Sequence, residues 1–131
     1  KGYRDGMREH PTMVAQAVSL SDQQIADVAA FLASFGSEAV EAGGEQVPGF
    51  DKAAACAACH GQNGISVSPP WPTLAGQHEE YLVHALNQYR DGSRKDPVMS
   101  PMAAPLTDDD VKILAKYFSS LQGLETTKKA D

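Results

Sequence analysis

Apolar residues recur at helical spacing in two stretches of the chain. Ile25, Val28, Ala29, Leu32 and Phe35 form one stripe, and Val111, Leu114, Ala115, Phe118 and Leu121 form another. Each stripe follows a capping pattern, Ser21 with Gln24 and Thr107 with Asp110, which predicts a helix start at both places. A third helix is predicted from His78 to Tyr89, with Tyr81, Leu82, Ala85, Leu86 and Tyr89 along one side and Gly92 closing it. A fourth is Ala-rich, opens at Pro48-Gly49-Phe50-Asp51 and ends near His60-Gly61. Residues 64–76, with Pro69, Pro70 and Pro72, read as an ordered loop, and residues 91–105 as a second one. No stretch alternates with a strand period. The expectation is an all-α fold whose loops are long for so small a core, so something other than side chains fills its middle.

The two stripes belong to a repeat. A shift of 86 residues lays Tyr3-Arg-Asp-Gly6 on Tyr89-Arg-Asp-Gly92, Arg8 on Arg94, Pro11 on Pro97, Met13 on Met99 and Leu20-Ser-Asp22 on Leu106-Thr-Asp108. Shared identities and shared periodicity run together from residue 3 to residue 35, which marks duplication of one module. The second copy is preceded by about 40 further residues that hold both cysteines, whereas the first is not. Residues 1–35 therefore read as the C-terminal half of a first module, 36–47 as a Gly- and Glu-containing linker, 48–124 as a complete module and 125–131 as a tail. The missing half is expected from a longer chain or a separate polypeptide.

Composition narrows the function classes. The 131 residues are 42% hydrophobic and 21% charged, the balance of a globular domain, and no apolar run approaches the roughly 18 residues a membrane helix needs. Seventeen acidic against 11 basic residues give a net charge of −6, which disfavours nucleic acid as a partner. The basic residues nonetheless gather at Arg90, Arg94 and Lys95, echoed by Arg4 and Arg8, and Asp108, Asp109 and Asp110 complement the dipole of the last helix.

The chemistry lies in Cys56-Ala-Ala-Cys59-His60, the attachment pattern of a c-type haem. Sulfurs three residues apart on one helical turn reach two vinyl groups of a porphyrin, the following His turns under the ring to bind iron, and Ala57 and Ala58 leave room. A thioredoxin-like dithiol would need a βαβ context, and a zinc site a fourth ligand, for which His78 and His84 are unorganised candidates. For the sixth iron ligand, Met99 and Met102 share one Pro-rich loop. The repeat selects Met99, because Met13 stands at its equivalent while Gln16 stands at that of Met102. Met13 would be the matching ligand of an incomplete first site. A thioether favours ferrous iron and raises the potential.

Cys56-Ala-Ala-Cys-His-Gly61, Asn63-Gly64, Trp71-Pro-Thr-Leu-Ala-Gly-Gln77, Tyr89-Arg-Asp-Gly-x-Arg94 and Pro97-Val-Met-Ser-Pro-Met-Ala-Ala-Pro-Leu-Thr-Asp108 together resemble a class I cytochrome c, and more narrowly the diheme cytochromes of the c-four type. The resemblance implies short helices and long loops wrapped around covalently bound haem c, with a second haem in the intact protein. It implies that the Pro72 carbonyl accepts a hydrogen bond from the proximal imidazole. Leu74 would pack on the haem, and Gly49 would sit where the first and last helices cross, against Tyr117 and Phe118. Trp71 would pack at the haem edge or donate its indole N–H to a propionate. Ile65, Leu82 and Leu86 are expected in the pocket lining from position and apolarity.

With both axial positions filled, single-electron transfer is the expected job, and no catalytic residue is assigned. The resemblance implies a periplasmic carrier, with membrane-complex association open, between a bc-type complex or dehydrogenase and a terminal oxidase or reductase. An electron-transfer subunit of a larger redox enzyme is the alternative, and a haem sensor or peroxidase with a dissociating Met99 a third.

Overall fold

The computed structural model describes residues 1–33 and 48–124. The expected linker at 36–47, the tail at 125–131 and Phe35 lie outside the described residues. Among the described residues six helices follow one another: α1 (Pro11–Ala17), α2 (Asp22–Ala33), α3 (Phe50–His60), α4 (Glu79–Asp91), α5 (Met99–Ala103) and α6 (Asp108–Ser120). Apart from one isolated antiparallel bridge, the described residues contain no β pairing. No helix among them is long and apolar enough to cross a membrane.

The local chemistry of each helix is simple. Five alanines give α3 its propensity, and acidic first turns stabilise α4 and α6 against the helix dipole. Both predicted caps form. Gln24 N–H donates to Ser21 Oγ and Ser21 N–H to Gln24 Oε1, while Thr107 and Asp110 make the reciprocal pair at α6. Helices α1 and α5 depart from the sequence reading, which made 91–105 a loop throughout. Pro11 is the first residue of α1, and Pro101 lies in the opening turn of α5, where a missing N–H costs nothing.

The described residues form two compact units. In one, 48–84 group with 107–124. Its core is built on α6, whose Val111, Leu114, Ala115, Tyr117 and Phe118 are all buried, and α3 packs against it. Phe50 meets Tyr117 edge to face at 6.5 Å, and Tyr117 meets Phe118 likewise at 5.1 Å. The crossing depends on Gly49, where a Cβ would lie 3.0 Å from Tyr117 Cβ and 3.1 Å from Ile113 Cγ2. The nearest neighbours of Gly49 are Tyr117, as expected, and Ile113, and Phe118 stands beside Gly64. Burying each large side chain of this set contributes about 1.5–3 kcal/mol before chain entropy is subtracted.

In the other unit, 1–33 group with 85–106, so the second copy of the repeat is divided between the two units. The repeat is visible in side-chain detail. Arg8 stacks on Tyr3 with its guanidinium carbon 4.5 Å from the ring centre, and Arg94 on Tyr89 at 4.7 Å, the same pair of positions in each copy. The antiparallel bridge joins Arg8 to Arg94 themselves, and Lys95 N–H donates to the Met7 carbonyl. Arg4 ties the start of α2 by donating to Asp22 and to the Leu20 carbonyl.

Candidate haem attachment site

Helix α3 delivers Cys56 and Cys59 half-buried, one turn apart and unbonded to one another, and ends on His60. His60 is 4% exposed, a buried polar side chain. Its Nδ1 lies 2.7 Å from the Pro72 carbonyl oxygen. A carbonyl only accepts, so Nδ1 carries the proton and Nε2 keeps its lone pair for a metal.

The turn that makes this contact starts at Gly61, at φ +87°. A Cβ there would collide with the Ile65 carbonyl oxygen. Only glycine lets the chain double back directly after the ligand. The returning loop is braced by its own polar groups: Ser66 N–H donates to Thr73 Oγ1, Ser66 Oγ to the Ser68 carbonyl, Trp71 N–H to Ser68, and both Leu74 and Ala75 N–H to the Gly64 carbonyl. Thr73 and the Ser66–Ser68 pair went unnoticed in the sequence, although Ser and Thr between prolines are a standard source of such turns.

These features discriminate among the chemistries open at the sequence level. Burial first, and the neighbouring Cys59 second, push the Cys56 thiol above its ordinary range. A nucleophilic redox dithiol needs the opposite shift. No group of three or more His, Cys, Asp or Glu among the described residues is arranged to hold a metal ion. Two free sulfurs on one helical turn beside an imidazole with its Nε2 lone pair free fit a haem c.

The remaining expected site residues fall as follows. Ile65, Trp71 and Leu74 are half-buried and Leu82 is buried in the unit that holds the cysteines, where Pro72 presents its carbonyl while its ring is exposed. Leu86 and Met99 are half-buried in the other unit, together with Met13 and Met102, which are exposed. Asp96 Oδ1 accepts from both Val98 N–H and Met99 N–H at 2.8 Å, which fixes the backbone at Met99. His10 caps Met13 in the corresponding way. Asp96 stands two residues before Val98, the N-cap of α5, and an Asp whose side chain accepts from the backbone just after it is a turn signal the sequence reading passed over.

The family model for cytochrome c matches residues 48–122. The chain is 37% identical over 140 residues to a thiosulfate dehydrogenase electron acceptor of Stutzerimonas stutzeri, covering 95% of this chain and 65% of that one. It is 42% identical over 80 residues to cytochrome c-554(548) of Halomonas halodenitrificans, covering 59% of this chain and 96% of that one. The solved structure of Acidithiobacillus ferrooxidans cytochrome c4 superposes with a TM-score of 0.76 at 26% identity, over 92% of this chain and 78% of that one. The chain thus spans just under two thirds of the first of these relatives. Cys56 and Cys59 are the attachment points of a covalently bound haem c, and one-electron transfer is the chemistry of such a module. The chain belongs to the cytochrome c family.

Proposed function

We propose that the chain is the electron-carrying part of a periplasmic two-haem c-type cytochrome, ligated by His60 and Met99 at the site it holds complete. The observation that carries this reading is the buried His60 braced on Pro72 directly after the cysteine pair. When bound, haem c supplies a one-electron iron couple. The protein's part is to hold the group through two thioethers, to keep the Nδ1–H donating to the Pro72 carbonyl and to present Nε2. Met99 is preferred over Met102 because Asp96 fixes its backbone and its side chain is half-buried, while Met102 is 45% exposed. Met13 at the equivalent position in the first copy supports a second site completed by a half module of the same kind. Neither axial position is then left for substrate, so the protein passes electrons between redox proteins, a dehydrogenase or bc-type complex on one side and a terminal oxidase or reductase on the other.

Visible spectra of haem-loaded variants test the ligand assignment. Met99→Ala abolishes the weak long-wavelength band of methionine-ligated ferric haem and lowers the potential, and Met102→Ala changes neither. The reverse pattern overturns it. A second reading, an electron-accepting subunit of a larger enzyme, is favoured by the likeness to the thiosulfate dehydrogenase electron acceptor. Copurification with a dehydrogenase subunit would establish it.

A further inference from the structure

Met99 is held more firmly than its counterpart in the first copy. Asp96 Oδ1 accepts from both Val98 N–H and Met99 N–H at 2.8 Å. Asp96 and Ser100 also bond each other across the methionine: Asp96 N–H donates to Ser100 Oγ at 3.2 Å, and Ser100 N–H donates to the Asp96 carbonyl at 3.1 Å. In the first copy the residues at these two positions are His10 and Val14. His10 Nδ1 takes one N–H, that of Met13, at 3.4 Å, and Val14 has no hydroxyl to accept another. Helix α1 forms all the same. It keeps the backbone bond from Val14 N–H to the His10 carbonyl and ends at Ala17, the equivalent of Ala103 at the end of α5. The added bonds of the second copy are therefore not what makes a helix there. The methionines do differ, with Met13 41% exposed and Met99 half-buried.

We propose that Asp96, backed by Ser100, is a positioning residue that keeps the Met99 thioether on the haem iron and so keeps the sixth coordination position closed to small ligands. This rests on the assignment of Met99 as ligand above. A thioether carries no charge to hold it to the metal, so its residence depends on how freely the chain can swing it away. Two successive N–H groups tied to one carboxylate remove backbone rotations at Val98 and Met99, and bonds to an ionised acceptor are roughly twice as strong as neutral ones. Pro97, between the carboxylate and the two N–H groups, fixes a further dihedral. Released from this clamp, the module would bind small ligands as well as pass electrons.

Imidazole binding to the ferric, haem-loaded full chain tests the clamp. The Met99 sulfur leaves the iron, an imidazole nitrogen takes its place, and the oxidation state does not change. At high imidazole the rate at which the long-wavelength band disappears levels off at the rate of methionine release. Asp96→Ala should raise that limit roughly tenfold or more, and Ser100→Ala should raise it roughly threefold. Asp96→Asn keeps a carbonyl acceptor for both N–H groups and should stay near the parent rate. Thr107→Ala weakens the cap of α6 and should leave the limit unchanged, which separates positioning from general loss of stability. Parent rates in both Asp96→Ala and Ser100→Ala, an Asp96→Asn protein as fast as Asp96→Ala, or equal acceleration by Thr107→Ala would each overturn the proposal. A long-wavelength band that survives Met99→Ala would instead sink the ligand assignment, so the two failures are told apart.

Discussion

Leu114 and Val28 occupy the same position in the two copies, yet Leu114 is 3% exposed and Val28 is 50% exposed. The same contrast holds one helical turn on, where Phe118 is 4% and Leu32 is 61% exposed. Truncating Leu114 to Ala removes buried carbon and leaves a cavity between α6 and its neighbours, which costs about 2–5 kcal/mol. Val28→Ala removes methyl groups that already meet water and should stay within about 0.5 kcal/mol. For a domain of this size each kcal/mol moves the melting temperature by about 4–8 °C. Leu114→Ala should therefore melt roughly 10 °C or more below the parent, and Val28→Ala within about 4 °C of it. Circular dichroism melts of the haem-loaded chain measure both. The reasoning is refuted if Val28→Ala costs as much as Leu114→Ala, because the α2 stripe would then be packed in solution.

Three further outcomes follow from local geometry. Gly61→Ala forces a side chain into a positive-φ position costing about 1–2 kcal/mol, and it drives a Cβ onto the Ile65 carbonyl. It should lower both the urea midpoint and the fraction of protein that acquires haem, read by absorbance. Thr107→Ala removes one half of the α6 capping box and should cost about 1 kcal/mol in urea unfolding. Asp110 is held at about 2, against an ordinary 3.8, by the Lys52 hydrogen bond first and by Thr107 next. Its folded form therefore binds fewer protons than the unfolded chain, and the stability it lends is complete above pH 3.8 and lost as pH falls toward 2. Lys52→Ala should move that loss to higher pH in urea midpoints taken along an acid series, and added salt should weaken the difference.

The elements that rest on short-range chemistry were legible in the sequence. Both caps, the three longer helices of the second copy and the Cys56–His60 turn could be read from spacing because each is settled within about four residues. Helices α1 and α5 were hidden by their prolines, which signal a break in general and are harmless in a first turn. Tyr117 was foreseen beside Gly49 and Ile113 was not, since that requires the rotation of α6 about its axis. The brace on His60 depends on a carbonyl twelve residues away, and only the family resemblance pointed to it. The grouping of 85–106 with 1–33 arises from backbone bonds between distant segments, for which periodicity along one helix holds no information.

The bridge between Arg8 and Arg94 joins equivalent positions of the two repeat copies. Such pairing is self-complementary, the kind of contact two identical molecules make across a two-fold axis. A substitution that bends the backbone at either arginine therefore disturbs both members of the pair at once.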